Sequence, residues 1–333
     1  VSVGIIANPA SGKDIRRLVA HATVFDNQEK VNLVRRILIG LQAVGVRNVW
    51  FMPDYFGFYD RAMEVFTGEN SLQMDIRLLD MRINADQEDS QRAATLMLEK
   101  GVRCILVLGG DGTNRVVAKG CGEIPLMPLS TGTNNVFPTM VEGTVAGLAA
   151  GLVATGAVER ESALKRAKKL VIWVNGQERD IALIDAVVLT ERFVASRAIW
   201  DVEKIRQVVV TRGEPFHIGV AAIAGSLQRI GSEEAQGLNI LMSRRNELPQ
   251  IRVTAAVGPG LMQELSIADF RTILPGQRIP IVETPCVIAV DGEREITLET
   301  EDEAEIELSM EGPWVVDFKQ TLSQAVAKSL FQK

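Results

Sequence analysis

The stretch Cys104-Ile105-Leu106-Val107-Leu108-Gly109-Gly110-Asp111-Gly112-Thr113 sets a continuous apolar run directly against a glycine-rich turn. A short apolar run bounded in this way reads as a strand buried on both faces, as in parallel sheets covered by helices. Ligands of open α/β sheets bind beyond the carboxyl ends of strands. Glycines there let a phosphate approach the backbone, and the start of the next helix offers free N–H groups and a positive dipole end. Asp111, with glycine on either side, is placed to reach Mg²⁺ through phosphates or to accept a hydroxyl proton. The plainer alternative is a turn in which Asp111 caps the following helix. At ordinary residue frequencies the pentapeptide arises by chance in on the order of one chain in a few thousand, and its place after a strand favours a ligand site.

Outward from this turn, a second strand at 125–129 ends in Ser130-Thr131-Gly132-Thr133-Asn134-Asn135, whose hydroxyls and amides offer further phosphate or ribose contacts. The first strand, Val3-Gly4-Ile5-Ile6-Ala7, ends in Asn8-Pro9-Ala10-Ser11-Gly12-Lys13. That run nearly imitates a Walker A loop, but Ala7 stands at its first glycine and Asp14 follows Lys13, so the chain is not a P-loop NTPase. The loop is either phosphate-facing or a simple turn.

The first half alternates strands, at 48–52 and 74–79, with helices at 28–44, 87–99 and 113–119, and a short helix is expected within 56–66. Such alternation predicts a parallel sheet with helices on both faces. After Pro138 one helix of small residues spans 142–157, and beyond Leu170 strand signals dominate, among them 180–190 and 217–224. A last strand at 314–318 and a helix at 320–331 can return to the first domain. The expected fold is α/β + β. A Rossmann-like parallel α/β domain takes 1–138 and 314–333, and a linker helix with a β-sandwich takes 139–313.

Composition sets the bounds. The chain has 333 residues, 47% hydrophobic and 23% charged, with a net charge of −6, as in an ordinary globular protein. No basic face marks a nucleic-acid binder, and no run of about 18 apolar residues marks a membrane span. The basic run Lys165-Arg166-Ala167-Lys168-Lys169 reads as a solvated helix end, and the acidic stretch 299–307 as a solvated strand edge. Cys104, Cys121 and Cys286 form no Cys-x-x-Cys pair, and only His21 and His217 could join them, which argues against structural zinc. With no charged-then-apolar leader, a cytoplasmic protein is expected. Its expected partner is a small-molecule nucleotide, with no nucleic acid and no membrane, and a homo-oligomer is left open.

Together the three loops resemble those of the superfamily that joins NAD kinases, diacylglycerol kinases and sphingosine kinases. Its members carry an Asn-Pro-x-Ser-Gly-like loop, a Gly-Gly-Asp-Gly-Thr loop and a Gly-Thr-x-Asn-Asp-like loop on an α/β domain, followed by a β-rich domain. The runs 7–17, 109–114 and 130–138 look most like the branch of that superfamily encoded among acetoin-degrading enzymes. The resemblance implies ATP as cofactor with Mg²⁺, and a hydroxyl acceptor such as NAD or a small metabolite. It puts Asp111 on the catalytic aspartate and Gly109, Gly110, Gly112 and Thr113 on the phosphate loop. Asn8, Ser11 and Gly12 fall on the first loop, and Gly132, Thr133 and Asn134 on the third. Asp291 and Glu293, in Asp291-Gly292-Glu293, resemble cleft-facing acids of the lipid-kinase branch; the same three residues also read as a hairpin turn.

Two positions depart from the pattern. Asp185 is the nearest acid to the Asn-acid pair with which NAD kinases open their second domain, and no Asn precedes it. Arg115 follows Asn114 where lipid kinases carry Glu. The expectation is a kinase-like phosphotransferase; the alternative is a nucleotide-binding regulatory protein without the chemistry.

Overall fold

The structure, a computed structural model, describes residues 1–11, 26–190, 202–244 and 247–332. Its first half runs β1 (Ser2–Ala7), α1 (Asn27–Ala43), β2 (Asn48–Phe51), α2 (Phe58–Met63), β3 (Asp75–Leu78), α3 (Glu88–Glu99), β4 (Ile105–Gly109), α4 (Asp111–Ala118), β5 (Leu126–Ser130) and α5 (Gly143–Thr155). Then come α6 (Arg160–Ala163), β6 (Leu164–Arg166), β7 (Lys169–Val174), β8 (Gln177–Ala182), β9 (Asp185–Leu189), β10 (Ile205–Val210), α7 (Val220–Leu227) and β11 (Gly237–Met242). The chain ends with β12 (Ile251–Gly258), β13 (Leu261–Ile273), β14 (Arg278–Pro280), β15 (Cys286–Val290), β16 (Glu293–Leu298), β17 (Ala304–Ser309), β18 (Trp314–Val316) and α8 (Phe318–Ala327).

The first sheet has the order β3-β2-β1-β4-β5-β18-β6, parallel except for β6 at the edge. Every residue of β4 and β5 is buried, because helices cover both faces. α1, α2 and α5 pack on one face around Val34, Ile37 and Phe58; α3 and α4 pack on the other around Met97 and Val117. Strand order reverses at β1, with β2 on one side and β4 on the other. Loops leaving β1 and β4 therefore diverge and open a crevice at their carboxyl ends.

α5 sits against α1 at backbone contact distance. A Cβ at Gly147 would lie 2.3 Å from Ile37 O, and one at Gly40 would lie 2.4 Å from Thr144 O. This contact and the pairing of β6 with β18 place 143–166 with the first sheet, although the sequence reading assigns them to the second domain.

The rest is a β-sandwich. A seven-stranded antiparallel sheet, β12-β13-β11-β10-β9-β15-β16, faces a four-stranded one, β14-β17-β7-β8. Between them Leu170, Ile172, Ile306 and Leu308 pack against Val188, Val209, Ile288 and Val290. Two expected strands are corrected. Residues 217–224 turn into α7, because Gly219 takes a left-handed φ of 82° and the small apolar residues after it continue as a helix. The run 180–190 is broken at Leu183-Ile184, where the chain leaves one sheet of the sandwich for the other. The basic run at 165–169 is no helix end: it spans the edge strand β6 and the start of β7, with Lys168 buried. No helix among the described residues is long and apolar enough to cross a membrane.

Candidate functional site

At the end of β1, Asn8 ties the first loop to the glycine loop. Its Oδ1 accepts from Ala10 N–H at 2.8 Å, and its Nδ2 donates to Thr113 Oγ1 at 3.1 Å. Ser11 Oγ donates to Asn8 O at 2.7 Å and lies 3.1 Å from Thr131 Oγ1, which joins the first loop to the third. Beneath them lies Lys30, fully buried, whose ammonium donates to Asn8 O, Ser11 O, Ser11 Oγ and Asn27 Oδ1 at 2.6–3.1 Å. A buried charge is tolerable only with such partners. The sequence reading missed Lys30. The available signal was its place four residues before Val34, on the apolar stripe of α1. Gly12 lies outside the described residues.

Gly109, Gly110, Gly112 and Gly132 all stay out of the left-handed region, and close packing accounts for the first three. A Cβ at Gly109 would strike Thr113 at 2.5 Å, and one at Gly110 would lie 2.7 Å from Asn135 Oδ1. At Gly112 it would meet Glu293 Oε1 at 2.9 Å. The space the sequence reading reserves for a phosphate at Gly110 is thus filled by Asn135, whose Nδ2 donates to Ser130 Oγ at 2.8 Å. What faces outward is the start of α4, whose first N–H groups have no partner within the helix.

Asp111 opens α4, and its carboxylate reaches the third loop. Oδ1 accepts from Phe137 N–H at 2.8 Å and Val136 N–H at 3.0 Å, and Oδ2 accepts from Val136 N–H at 3.1 Å. Burial, then the negative field of Asp291, pushes its pKa up to about 6, against these hydrogen bonds and the more distant Arg212 cation. A carboxyl poised close to neutrality can exchange a proton at physiological pH.

The second domain closes over this loop. Arg115, the residue that departs from the lipid-kinase pattern, is 1% exposed and pairs with Asp180 at 2.8 Å, with Glu293 3.9 Å away. Lys119 pairs with Asp180 at 3.0 Å. Glu293 also accepts from Gln87 Nε2 while resting on Gly112. Arg115 therefore pins α4 to β8 and β16. Asp291 and Gly292 turn the β15–β16 hairpin with φ of 48° and 82°, the geometry that Asp-Gly turns favour. The Asp291 carboxylate is buried and accepts from Leu183, Ile184 and Asp185 N–H at 2.7–3.2 Å, holding the junction between β8 and β9. Asp185 is buried beside it.

On the third loop Thr133 is exposed, and Ser130 Oγ donates to Gly132 O at 2.8 Å. Asn134 Oδ1 is buried without a hydrogen-bond partner among the described residues, an acceptor that a ligand's N–H or O–H would satisfy. The structure thus brings Asn8, Ser11, Thr113, Asp111 and the third loop together at one crevice, and sets Glu293 on its rim. Asp291 and Asp185 lie behind, as a structural joint.

Residues 3–158 match the model of the ATP-NAD kinase N-terminal domain, and residues 168–311 match that of the acetoin catabolism protein X C-terminal domain. The chain is 39% identical over 313 residues to acetoin catabolism protein X of Cupriavidus necator, covering 92% of this chain and 87% of that one. Two solved structures described as "a putative diacylglycerol kinase from Bacillus anthracis str. Sterne" align at 14% identity over 95% of this chain and 97% of theirs, with TM-scores of 0.46 and 0.42. The boundary between the two domain models falls next to β6, where the structure passes from the parallel sheet to the sandwich. The chain belongs to the acetoin catabolism protein X family, whose first domain here is of the NAD kinase type.

Proposed function

We propose that the chain is a phosphotransferase that binds ATP at the reversal point between β1 and β4 and serves a small hydroxyl acceptor, with Asp111 as its base. The observation that carries this reading is Asp111 itself, a carboxyl held near pKa 6 where the loops after β4 and β5 meet. ATP bound here would supply the phosphoryl group. The N–H groups at the start of α4 and the Asn8 and Thr113 side chains are the groups to receive its phosphates. Among the described residues no three His, Cys, Asp or Glu side chains surround a common point, so Mg²⁺ would arrive on those phosphates. Asp111 takes the proton as the acceptor's O–H bond breaks. The two backbone N–H groups that hold its carboxylate fix the direction of that transfer. The acceptor is NAD or a small metabolite of acetoin breakdown. The NAD kinase type of the first domain supports the former, and the name of the Cupriavidus relative supports the latter.

Single-turnover transfer of labelled phosphate from ATP, measured for wild type and Asp111→Asn, tests the reading. Asn can keep the 2.8 and 3.0 Å bonds through its one oxygen, yet it cannot accept the proton. Transfer is expected to fall by roughly 10²–10⁴-fold with nucleotide affinity retained. Equal rates would remove Asp111 from the chemistry. A second reading, a nucleotide-binding regulatory protein, is favoured by one observation: the Asp111 carboxylate already serves as a clamp on the third loop. Nucleotide binding with no transfer to any acceptor would establish it.

A further inference from the structure

Beside the crevice lies a cavity of about 110 Å³, lined by Phe137, Lys165, Arg166, Lys168, Arg212 and Ser232 among others. By that measure a water takes on the order of 10–15 Å³, so a compound of a few heavy atoms fits. Four of its lining residues are cationic, and three of those are already engaged. Lys165 pairs with Glu233 and Asp317, and Arg166 with Glu123 and Glu311. Lys168 donates to the carbonyls of Gly231, Glu234 and Gln236 at 2.8–2.9 Å, so its three protons are placed.

Arg212 differs. Among the described residues it makes no ion pair or hydrogen bond, and its guanidinium stands 5.5 Å over the Phe137 ring. Burial weighs against its charge, while the fields of Asp111, Glu214 and Asp291 favour it from beyond ion-pair distance. The same charge is felt at Lys168, whose pKa is pushed down to about 8 by burial and then by Arg212. Half-buried in the cavity wall, with no protein partner among the described residues for its five donors, the guanidinium lacks the oxyanion partner that such a group binds best. Phe137 links the cavity to the acid: its ring borders the cavity, and its N–H donates to Asp111 at 2.8 Å.

We propose that this cavity binds the anionic group of a small hydroxyl-bearing organic anion, with Arg212 as its counter-ion. A carboxylate or a phosphate ester shares the needed chemistry. Anchored there, the hydroxyl end of the molecule would be directed past Phe137 toward Asp111. That this ligand is the phosphoryl acceptor rests on the function proposed above; that an anion binds does not.

Titration calorimetry of the full chain without ATP separates the two. Lactate and glycerol 3-phosphate are the anionic probes, and glycerol is the neutral control. At least one anion is expected to bind wild type, and glycerol not at all. The arm that gives heat identifies carboxylate or phosphate ester. Arg212→Gln should weaken that binding at least tenfold, and Arg212→Lys should retain part of it. Ser232→Glu, at an exposed rim position, should weaken it by repulsion without disturbing the fold, which guards against an Arg212 variant that misfolds. No heat from either anion, or unchanged affinity in both Arg212→Gln and Ser232→Glu, would overturn the proposal. Arg212-dependent binding in a protein that transfers no phosphate would leave the cavity assigned and overturn the phosphotransferase reading alone.

Discussion

Two aspartates, each followed by glycine, carry out the same local task in the two domains and end in different situations. Asp111 gathers the N–H groups of Val136 and Phe137; Asp291 gathers those of Leu183, Ile184 and Asp185. Burial raises the pKa of both. Asp291 is 6% exposed, sits in a left-handed hairpin turn and has the Arg115 charge to offset its burial. Asp111 is more open, and the charges nearest in effect are the opposing Asp291 and the distant Arg212. A carboxylate sealed with its donors acts as a joint. One that keeps a path to the crevice can also exchange a proton.

The comparison breaks most visibly at Asp291. Asp291→Ala strands three buried N–H groups, and the expected loss is on the order of 3–5 kcal/mol, read as a lower urea midpoint. A loss below about 1 kcal/mol would show that the turn does not depend on that carboxylate. Asp111→Asn is expected to act in the opposite direction. The folded value of about 6 lies above the ordinary 3.8, so the native state resists ionisation and stability falls as pH rises from about 4 to about 6. Above that window the penalty is constant. Removing the charge should therefore raise stability at pH 7 by about 1–3 kcal/mol and leave it little changed at pH 4. Equal effects at the two pH values would contradict the raised pKa. The smallest effect is expected from Gly112→Ala. Its methyl group would press on Glu293, a movable side chain, at 2.9 Å, and about 1 kcal/mol of destabilisation should appear as a shift of a few degrees in Tm.

The sequence was most legible where one principle acted alone. The apolar strands, their alternation with helices and the loops at their ends could all be read directly, and 104–113 marked β4 and the glycine turn into α4. It was least legible where contacts come from far away. Nothing local marks Thr211-Arg212 as a cavity wall, because Phe137 and Lys168 reach it only after the chain has passed from one domain to the other. Lys168 looked solvated within a basic run, yet it is buried, since its three carbonyl partners lie more than sixty residues away. Gly110 was read as room for a ligand, while the folded chain fills that room with Asn135. The docking of α5 on α1 had a signal in the four-residue spacing of Gly143, Gly147 and Gly151, but that spacing does not name the partner helix.

The central claim is that Asp111 accepts the acceptor's proton, and its most direct test is the pH dependence of single-turnover phosphoryl transfer. A base with a pKa of about 6 predicts a rate that is level above neutrality and falls tenfold per pH unit below about 6. Asp111→Asn should be slow and without that inflection. A wild-type rate that stays level through pH 6, or the same inflection surviving in Asp111→Asn, would contradict it.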